Sequence, residues 1–118
     1  MSEPETEFLG IFRDEANERL DSMSTVLLAV EDGHASHDAI DSLFRDAHTI
    51  KGGAGMLGLT EICDLAHVIE DVLAEARDHD ELAGGLADPL LRACDGLRAF
   101  VNGGEPPDAP GMASLLGD

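Results

Sequence analysis

Apolar residues recur at spacings of three and four along almost the whole chain, and no other feature of the sequence limits the fold as strongly. Alternation of apolar and polar residues, which a half-buried strand would show, never extends beyond a few positions. The spacing therefore predicts an all-α protein. Four amphipathic helices joined by short loops must bury their apolar stripes on one another, which favours an antiparallel four-helix bundle.

Four apolar stripes define the predicted core. They consist of Phe8, Phe12, Leu20, Met23, Leu27 and Val30; of Ile40, Leu43, Ala47, Ile50, Ala54 and Leu57; of Ile62, Leu65, Ile69, Val72 and Ala76; and of Leu90, Leu91, Cys94, Leu97 and Val101. Ser36 or Asp38 is the expected cap of the second helix, and Thr60 is the expected cap of the third. The fourth helix is expected to begin with Asp88 as its cap and Pro89 in the first helical position.

A chain of 118 residues has room for one domain with a single core. The helical bundle is expected over residues 1–104, because Gly103 and Gly104 end the fourth helical pattern. Residues 105–118 begin as a linker at Glu105-Pro106-Pro107. The stretch 110–116 could form one short fifth helix.

The charge balance excludes several kinds of partner. The chain has 25 Asp and Glu residues against 7 Lys and Arg residues, which gives a net charge of -18. Such a surface repels nucleic acids and anionic membranes, so neither is expected as a partner. Aromatic residues make up 3% of the sequence, too few for a base-stacking platform. An acidic, lysine-poor chain of this kind resembles the proteins of halophiles, in which dissolved salt screens the repulsion.

The sequence also bears on where the protein acts. No apolar run is long enough to span a membrane, and the acidic N-terminus lacks the basic start of a signal peptide. Cys63 and Cys94 each lie within a helical pattern and are expected to be free thiols in a reducing compartment. We therefore expect a cytoplasmic protein.

The segment from Ala47 to Gly55 is the candidate for chemistry. At about 100° per residue, His48 points about 130° away from the centre of the second stripe, so it is expected to face solvent. Lys51, the only lysine in the chain, lies one turn further along the helix. Its ammonium group could reach an anion attached to the imidazole.

Gly52 and Gly53 follow directly, and each would weaken a helix interior by about 1 kcal/mol relative to alanine. Two explanations stay open. The helix could end at this pair, or the bare backbone one turn past His48 could let another protein approach and put a reactive group on the imidazole.

The third helix can bring a carboxylate beside His48. In a helical hairpin that turns near Gly58, His48 and Glu70 lie at about the same height, at roughly 1.5 Å per residue, and their rotational offsets place both beside one groove. If Glu70 accepted the Nδ1 proton of His48, the lone pair of Nε2 would point outward as a nucleophile requires. The alternative is that Glu70 is one more solvated carboxylate. His67 lies one turn nearer the hairpin turn.

Other kinds of site find little support in the sequence. Cys63 and His67 are four residues apart, a spacing that suits two metal ligands, yet no second pair matches it, so no metal site is predicted. The chain contains no phosphate-binding loop, dinucleotide fingerprint or Ser-His-Asp order. The domain is therefore not expected to bind ATP itself.

The run His-Thr-Ile-Lys-Gly-Gly-Ala-Gly at 48–55, followed by Met-Leu-Gly-Leu and by Leu-Ala-His-Val-Ile-Glu-Asp-Val-Leu at 65–73, resembles the signature of the histidine phosphotransfer (HPt) family. Within that family the chain is similar to the N-terminal phosphoacceptor domain of chemotaxis histidine kinases of the CheA type. Residues 12–20 and 90–101 are similar to the family's first and fourth helices. The resemblance covers all of the chain except the tail.

The resemblance implies a role for each residue of the segment. His48 would accept a phosphoryl group, Lys51 would support the phosphorylated state, and Glu70 would orient the imidazole, with His67 in the same polar network. The ATP-binding domain of the kinase, in the other protomer of a dimer, would phosphorylate His48 with ATP and Mg. Response regulators of the CheY and CheB types would collect the phosphoryl group on an aspartate. This domain would bind no cofactor and would be a relay, not an enzyme, although part of a histidine kinase.

Two alternatives remain beside this interpretation. A free-standing HPt protein of a multistep phosphorelay would use the same residues. A non-catalytic helical adaptor bundle would leave His48 and Glu70 as ordinary surface residues.

Overall fold

The computed structural model of the chain describes residues 3–30, 35–79, 82 and 85–104. They form four helices: α1 (Glu3–Ala29), α2 (His37–Met56), α3 (Thr60–Asp78) and α4 (Ala87–Val101). The predicted all-α class is confirmed, since these residues include no strand. The stretch 110–116, where a fifth helix is expected, lies outside the described residues, and the division of the chain at 104 and 105 stays a prediction.

The helices pack as a closed ring of neighbours. Helix α2 lies against α3, α1 lies against α2 and α4, and α3 lies against α4. Side chains show that α1 and α4 are antiparallel: Arg13 Nε donates to the Val101 carbonyl oxygen at 3.0 Å, and Asp21, further along α1, pairs with Arg98, one turn earlier on α4, at 2.8 Å. The start of α1 and the end of α4 therefore lie at one end of an antiparallel four-helix bundle.

The predicted stripes form the core, except that Phe8 and Leu57 are exposed and Leu91 is only partly buried. Most of their residues are buried, from Phe12 and Leu20 in α1 to Leu97 in α4. The burial expected for Phe8 and Leu57 is wrong, because Phe8 is 58% exposed and Leu57 is also exposed. Both side chains line an open apolar groove between the start of α1 and the end of α2. The periodic pattern thus continues beyond the part of each helix that the bundle covers.

The second helix begins where the sequence predicts, but the third does not. Ser36 is the cap of α2, and its side chain accepts a hydrogen bond from the Ala39 backbone N–H at 3.1 Å. Thr60 is already the first residue of α3, whose cap Leu59 makes no side-chain hydrogen bond. Gly58 adopts a positive φ of 71°, which glycine tolerates without steric cost. The tight turn at Gly58 reverses the chain, and α3 begins two residues later without a polar cap.

The fourth helix begins two residues earlier than predicted. Its cap is Leu86 and its first residue is Ala87, so Asp88 is not the cap. Asp88 instead forms an ion pair with Arg92 one turn later, at 3.2 Å. Pro89 lies within the first turn, where its missing N–H leaves no hydrogen bond unmade.

The Gly52–Gly53 pair lies inside α2, which continues to Met56. The explanation that the helix ends at this pair is therefore wrong. A Cβ at Gly53 would lie 2.9 Å from Phe12 Cδ1, so the bare backbone lets α1 pack closely there. A Cβ at Gly52 would meet nothing within 4 Å. Close internal packing accounts for Gly53 and leaves Gly52 exposed.

Two further properties match the sequence. None of the helices in the described part of the chain is long and apolar enough to cross a membrane. Cys63 and Cys94 are free, and burial raises the pKa of the Cys94 thiol to about 12. A thiol with so high a pKa is protonated and unreactive at neutral pH.

Candidate functional site

His48 stands on the outer face of the α2–α3 hairpin. Its side chain is 62% exposed, and its Nδ1 lies 2.5 Å from Glu70 Oε2. The exposed position follows from the helical pattern, because His48 directly follows Ala47, which is buried in the core. The two residues that the rotational offsets place beside one groove are thus in direct contact.

Glu70 is buried, unlike an ordinary surface carboxylate. Its side chain is 9% exposed, and its second oxygen, Oε1, accepts a hydrogen bond from Lys51 Nζ at 2.6 Å. Burial acts to raise the pKa of Glu70, but the hydrogen bonds and charges of Lys51 and His48 outweigh it, so the pKa lies below its usual value. Glu70 is therefore ionised at neutral pH, and the interpretation of it as a solvated carboxylate is wrong.

This contact fixes the protonation pattern of the imidazole. An ionised carboxylate can only accept hydrogen bonds, so Nδ1 of His48 carries the proton that is shared with Glu70. In the neutral ring the lone pair then lies on Nε2, on the far side from Glu70. The arrangement presents a nucleophilic nitrogen to solvent.

Lys51 faces the same carboxylate. The sequence suggests that its ammonium could serve an anion attached to the imidazole, and the structure pairs it instead with Glu70 on α3. Its side chain is 25% exposed. One turn separates Lys51 from His48 on α2, so both residues reach Glu70 from the same helix. Glu70 thus has a separate partner for each of its oxygens.

His67 lies beside this group and has a partner of its own. Its Nε2 is 3.3 Å from Asp71 Oδ1, one turn along α3. One possible metal-ligand atom from each of His67, Glu70 and Asp71 lies within 4.8 Å of the others. The sequence analysis considered only the spacing of Cys63 and His67 and did not predict this grouping. Both oxygens of Glu70 are already engaged by Lys51 and His48, and His67 pairs with Asp71.

An aromatic and a cationic side chain that the sequence analysis did not single out lie next to His48. The ring of Phe44, one turn earlier on α2, stacks on the imidazole with a centroid distance of 6.1 Å and an interplanar angle of 14°. The guanidinium carbon of Arg77, on α3, lies 3.8 Å from the centroid of the Phe44 ring. The i, i+4 spacing of Phe44 and His48 is the signal that could have identified the stack.

Asp46 is a second buried carboxylate of α2, and it faces α1. Its Oδ1 is 3.5 Å from Arg19 Nη1, and its Oδ2 has no hydrogen-bond partner among the described residues. Arg19 is shared, because its Nε also bonds Glu15 at 3.0 Å. Asp46 lies on a different side of α2 and takes no part in the His48 cluster, which consists of His48, Lys51, Glu70, Phe44 and Arg77.

Comparison with known proteins identifies the family. The family model of the Hpt domain matches residues 7–100. The chain belongs to the Hpt family. The resemblance found in the sequence is thereby confirmed, and the matched region includes every residue of the His48 cluster.

Relatives of this Hpt domain are chemotaxis proteins. The chain is 35% identical over 97 residues to the chemotaxis protein CheA of Halobacterium salinarum, covering 81% of this chain and 14% of that protein. It is 36% identical over 96 residues to CheA of Borreliella burgdorferi, covering 80% of this chain and 11% of that protein. The chain therefore spans about one seventh or less of the curated relatives that it matches.

A solved structure is similar over almost the whole Hpt domain. It is the phosphorylated P1 domain of CheA3 in complex with CheY6 from R. sphaeroides. The TM-score is 0.83 at 30% sequence identity, and the match covers 93% of this chain and 92% of that chain. The fold of this Hpt domain is thus the fold of a CheA P1 domain.

Proposed function

We propose that this Hpt domain accepts a phosphoryl group on Nε2 of His48 and passes it to an aspartate of a response regulator, as the phosphoacceptor part of a CheA-type chemotaxis histidine kinase. The observation that carries this proposal is the exposed His48 whose Nδ1 bonds the buried, ionised Glu70. The similarity to CheA proteins and to a phosphorylated P1 domain supports it. An adaptor bundle would have no use for a carboxylate buried beneath an exposed histidine.

The proposed chemistry is a pair of phosphoryl transfers. The lone pair of Nε2 attacks the terminal phosphorus of ATP, an N–P bond forms, and the bond from that phosphorus to the bridging oxygen breaks to release ADP. The ring then carries a positive charge and keeps its proton on Nδ1. Glu70 accepts the hydrogen bond from Nδ1–H and stabilises the positive charge of the ring. It therefore favours both the attack of Nε2 on phosphorus and the phosphorylated state.

In the second transfer an aspartate carboxylate of the response regulator attacks the same phosphorus. The N–P bond breaks, its electron pair returns to Nε2, and the neutral ring is restored with the proton still on Nδ1. Glu70 thus accepts a hydrogen bond from the same Nδ1 proton in both steps. No general base is needed on the exposed side of the imidazole, where a partner protein docks.

The ATP and Mg of this proposal belong to a separate kinase domain of the same protein, acting from the other protomer of a dimer, and the relay itself binds no cofactor. Response regulators of the CheY and CheB types are the proposed acceptors, with the cytoplasm as the place of action. Gly52 contributes bare backbone one turn past His48, where a partner can approach. The length of the CheA relatives favours a kinase polypeptide over a free-standing HPt protein.

The test is phosphorylation of the domain by a CheA kinase domain with radiolabelled ATP. The wild type is expected to gain an acid-labile, base-stable label, as a phosphohistidine does. His48→Gln is expected to gain none while keeping its helical circular dichroism, because the side chain is exposed and its loss opens no cavity. His79→Gln is the matched control, with an exposed histidine removed from the end of α3, and it should be labelled like the wild type. Retained label in His48→Gln would refute the assignment.

A further inference from the structure

We infer that Phe44 is a positioning residue for His48 and that Arg77 holds Phe44 in place. The inference rests on the proposed phosphoryl transfer and adds to it a second constraint on the nucleophile. It is carried by two ring contacts beside the imidazole, one within α2 and one that joins α2 to α3.

The first contact is the stack of Phe44 on His48. The two residues are one turn apart on the same face of α2, and their ring planes differ by 14° at a centroid distance of 6.1 Å. Parallel, offset rings at about 4.5 to 7 Å attract each other. Phe44 is itself half-buried against the core, so it is better anchored than the exposed imidazole that it touches.

The stack supplies what the hydrogen bond to Glu70 cannot. A hydrogen bond at Nδ1 fixes the position of one ring atom but leaves the plane of the exposed imidazole free to tilt about that bond. The lone pair of Nε2 lies in the ring plane, so a tilt of the ring turns the nucleophile away from the line of attack. With Nδ1 held by Glu70 and the plane held by Phe44, the direction of the lone pair is set before a phosphoryl donor arrives.

The second contact ties Phe44 to the helix that also carries Glu70. The guanidinium carbon of Arg77 lies 3.8 Å from the Phe44 ring centroid, within cation–π range. Asp41 helps to hold that guanidinium, since its Oδ1 is 3.9 Å from Arg77 Nη1. Helix α3 therefore acts on His48 twice: directly through Glu70, and indirectly through Arg77 and Phe44.

The experiment compares three variants of phenylalanines: Phe44→Leu, which removes the ring but keeps apolar volume; Phe44→Tyr, which keeps the ring; and Phe100→Leu, a matched control. Phe100 is also half-buried against the core but belongs to α4, which packs mainly against α1 and α3. The first measurement is the NMR chemical shifts of the His48 ring protons. The second is the rate of phosphorylation by a CheA kinase domain with ATP.

We expect Phe44→Leu to shift the His48 ring protons through loss of the ring current and to slow phosphorylation about 2- to 12-fold, the loss that a stacking energy of ordinary size would cause. Phe44→Tyr should retain the wild-type chemical shifts of the His48 ring protons and the wild-type rate of phosphorylation. Phe100→Leu should lower stability like Phe44→Leu but leave the His48 resonances and the rate unchanged. A purely structural role of Phe44 predicts the opposite: lost stability without any specific effect on His48.

Arg77→Met provides an independent arm, because it keeps the Phe44 ring itself and removes only the cation that contacts it. It should shift the same resonances and slow the reaction less than Phe44→Leu does. Arg92→Met, which removes an exposed arginine from α4, should do neither. The inference is overturned if the His48 resonances do not move in Phe44→Leu, or if they move while the rate stays at the wild-type value. A wild type that takes up no label would instead refute the proposed function, and the ring resonances would still decide whether Phe44 positions the imidazole.

Discussion

Glu70 shows how much a single residue can determine about this site. A carboxylate buried in a protein of net charge -18 is retained only if its charge is compensated locally, and Lys51 and His48 do this at separate oxygens. Because the carboxylate is shielded from water, its hydrogen bonds are stronger and better oriented than those of an exposed group. The tautomer of His48 is therefore set by the ionised Glu70, which can only accept the hydrogen bond from Nδ1.

The depressed pKa of Glu70 predicts a pH dependence of stability. The unfolded chain binds a proton at Glu70 near the usual value of 4.5, and the folded chain binds it only at lower pH. The stabilisation by ionised Glu70 is therefore complete above the unfolded pKa and is lost as the pH falls through the folded pKa. Glu70→Gln cannot lose a proton, so the wild type should exceed it in unfolding free energy by about 1 to 3 kcal/mol near pH 5.5, and by less as the pH falls toward about 3.

Urea titrations of both proteins over this range, in high salt to keep them folded, measure that difference. Glu75→Gln, an exposed carboxylate of the same helix, is the control and should differ little from the wild type at any pH. A gap between the wild type and Glu70→Gln that stays constant down to about pH 3 would show that ionised Glu70 does not stabilise the fold.

Lys51→Ala is expected to disfavour the phosphorylated form of the domain. A phosphoryl group adds negative charge beside Glu70 and Asp71, and the Lys51 ammonium contacts Glu70. A partly exposed pair is worth about 0.2 to 1 kcal/mol, so the exchange equilibrium with a receiver domain should shift toward the receiver by up to about fivefold at low salt. The shift should shrink as salt is raised, because screening shortens the reach of the charge.

Lys51→Arg keeps the charge and should retain most of the wild-type equilibrium. Binding of the receiver is measured separately, so that docking and phosphoryl transfer are not confused. An equilibrium that Lys51→Ala leaves unmoved at every salt concentration would limit Lys51 to its resting contact with Glu70.

At the residue scale, the sequence predicted contacts that follow from helix geometry and missed those that depend on long side chains. The pairing of His48 with Glu70 follows from height and rotational offset, which the helical repeat fixes. The partner of Lys51 and the contact of Arg77 with Phe44 do not, because a flexible side chain reaches several positions on a neighbouring helix. The burial of Asp46 was missed because a charged residue is normally assigned to the surface.

At the scale of one element, the two glycines of α2 should respond in opposite ways to a methyl group. Gly52→Ala adds a Cβ in open space, so the unfolding free energy should rise by up to about 1 kcal/mol through helix propensity. Gly53→Ala places a Cβ 2.9 Å from Phe12 Cδ1. Overpacking of this kind costs about 1 to 3 kcal/mol, which exceeds the helix gain. The net result should be a loss of stability.

Urea unfolding of the two variants tests this difference, and each variant serves as the control for the other. Equal effects would mean that Phe12 moves aside at no cost. If Gly52→Ala is more stable and is also phosphorylated more slowly by the kinase domain, the bare backbone at Gly52 serves the approach of a partner.

The presence of the four helices could be predicted from the spacing of apolar residues, whereas the residues at which α3 and α4 begin could not. The core stripes required only that apolar residues share a face. The starts of α3 and α4 depend instead on backbone turns at Gly58 and Gly85, both with positive φ. Such a turn can start a helix without any polar cap, so neither Thr60 nor Asp88 is needed as a cap.

At the scale of the whole molecule, the acidic surface predicts that salt stabilises the fold. The radius of gyration is 13.9 Å, and the screening length is about 10 Å at 0.1 M salt and about 3 Å at 1 M. In dilute buffer, carboxylates therefore repel one another across much of the surface. At high salt, only neighbouring carboxylates do so. Unfolding spreads the charges apart, so the repulsion acts against the folded state. The unfolding free energy should rise with KCl and level off near about 1 M, where screening is nearly complete.

A variant with fewer charges separates screening from other effects of salt. It replaces four exposed carboxylates on three helices, all outside the His48 cluster, by their amides: Glu18→Gln, Asp64→Asn, Asp78→Asn and Asp95→Asn. If repulsion between carboxylates opposes folding, this variant should be more stable than the wild type in dilute buffer, and its unfolding free energy should rise less steeply with KCl. Asp78 at the end of α3 should contribute most, since a negative charge there also opposes the helix dipole. If KCl stabilised both proteins to the same extent, salt would act by a route other than screening, because only screening scales with the charge that has been removed.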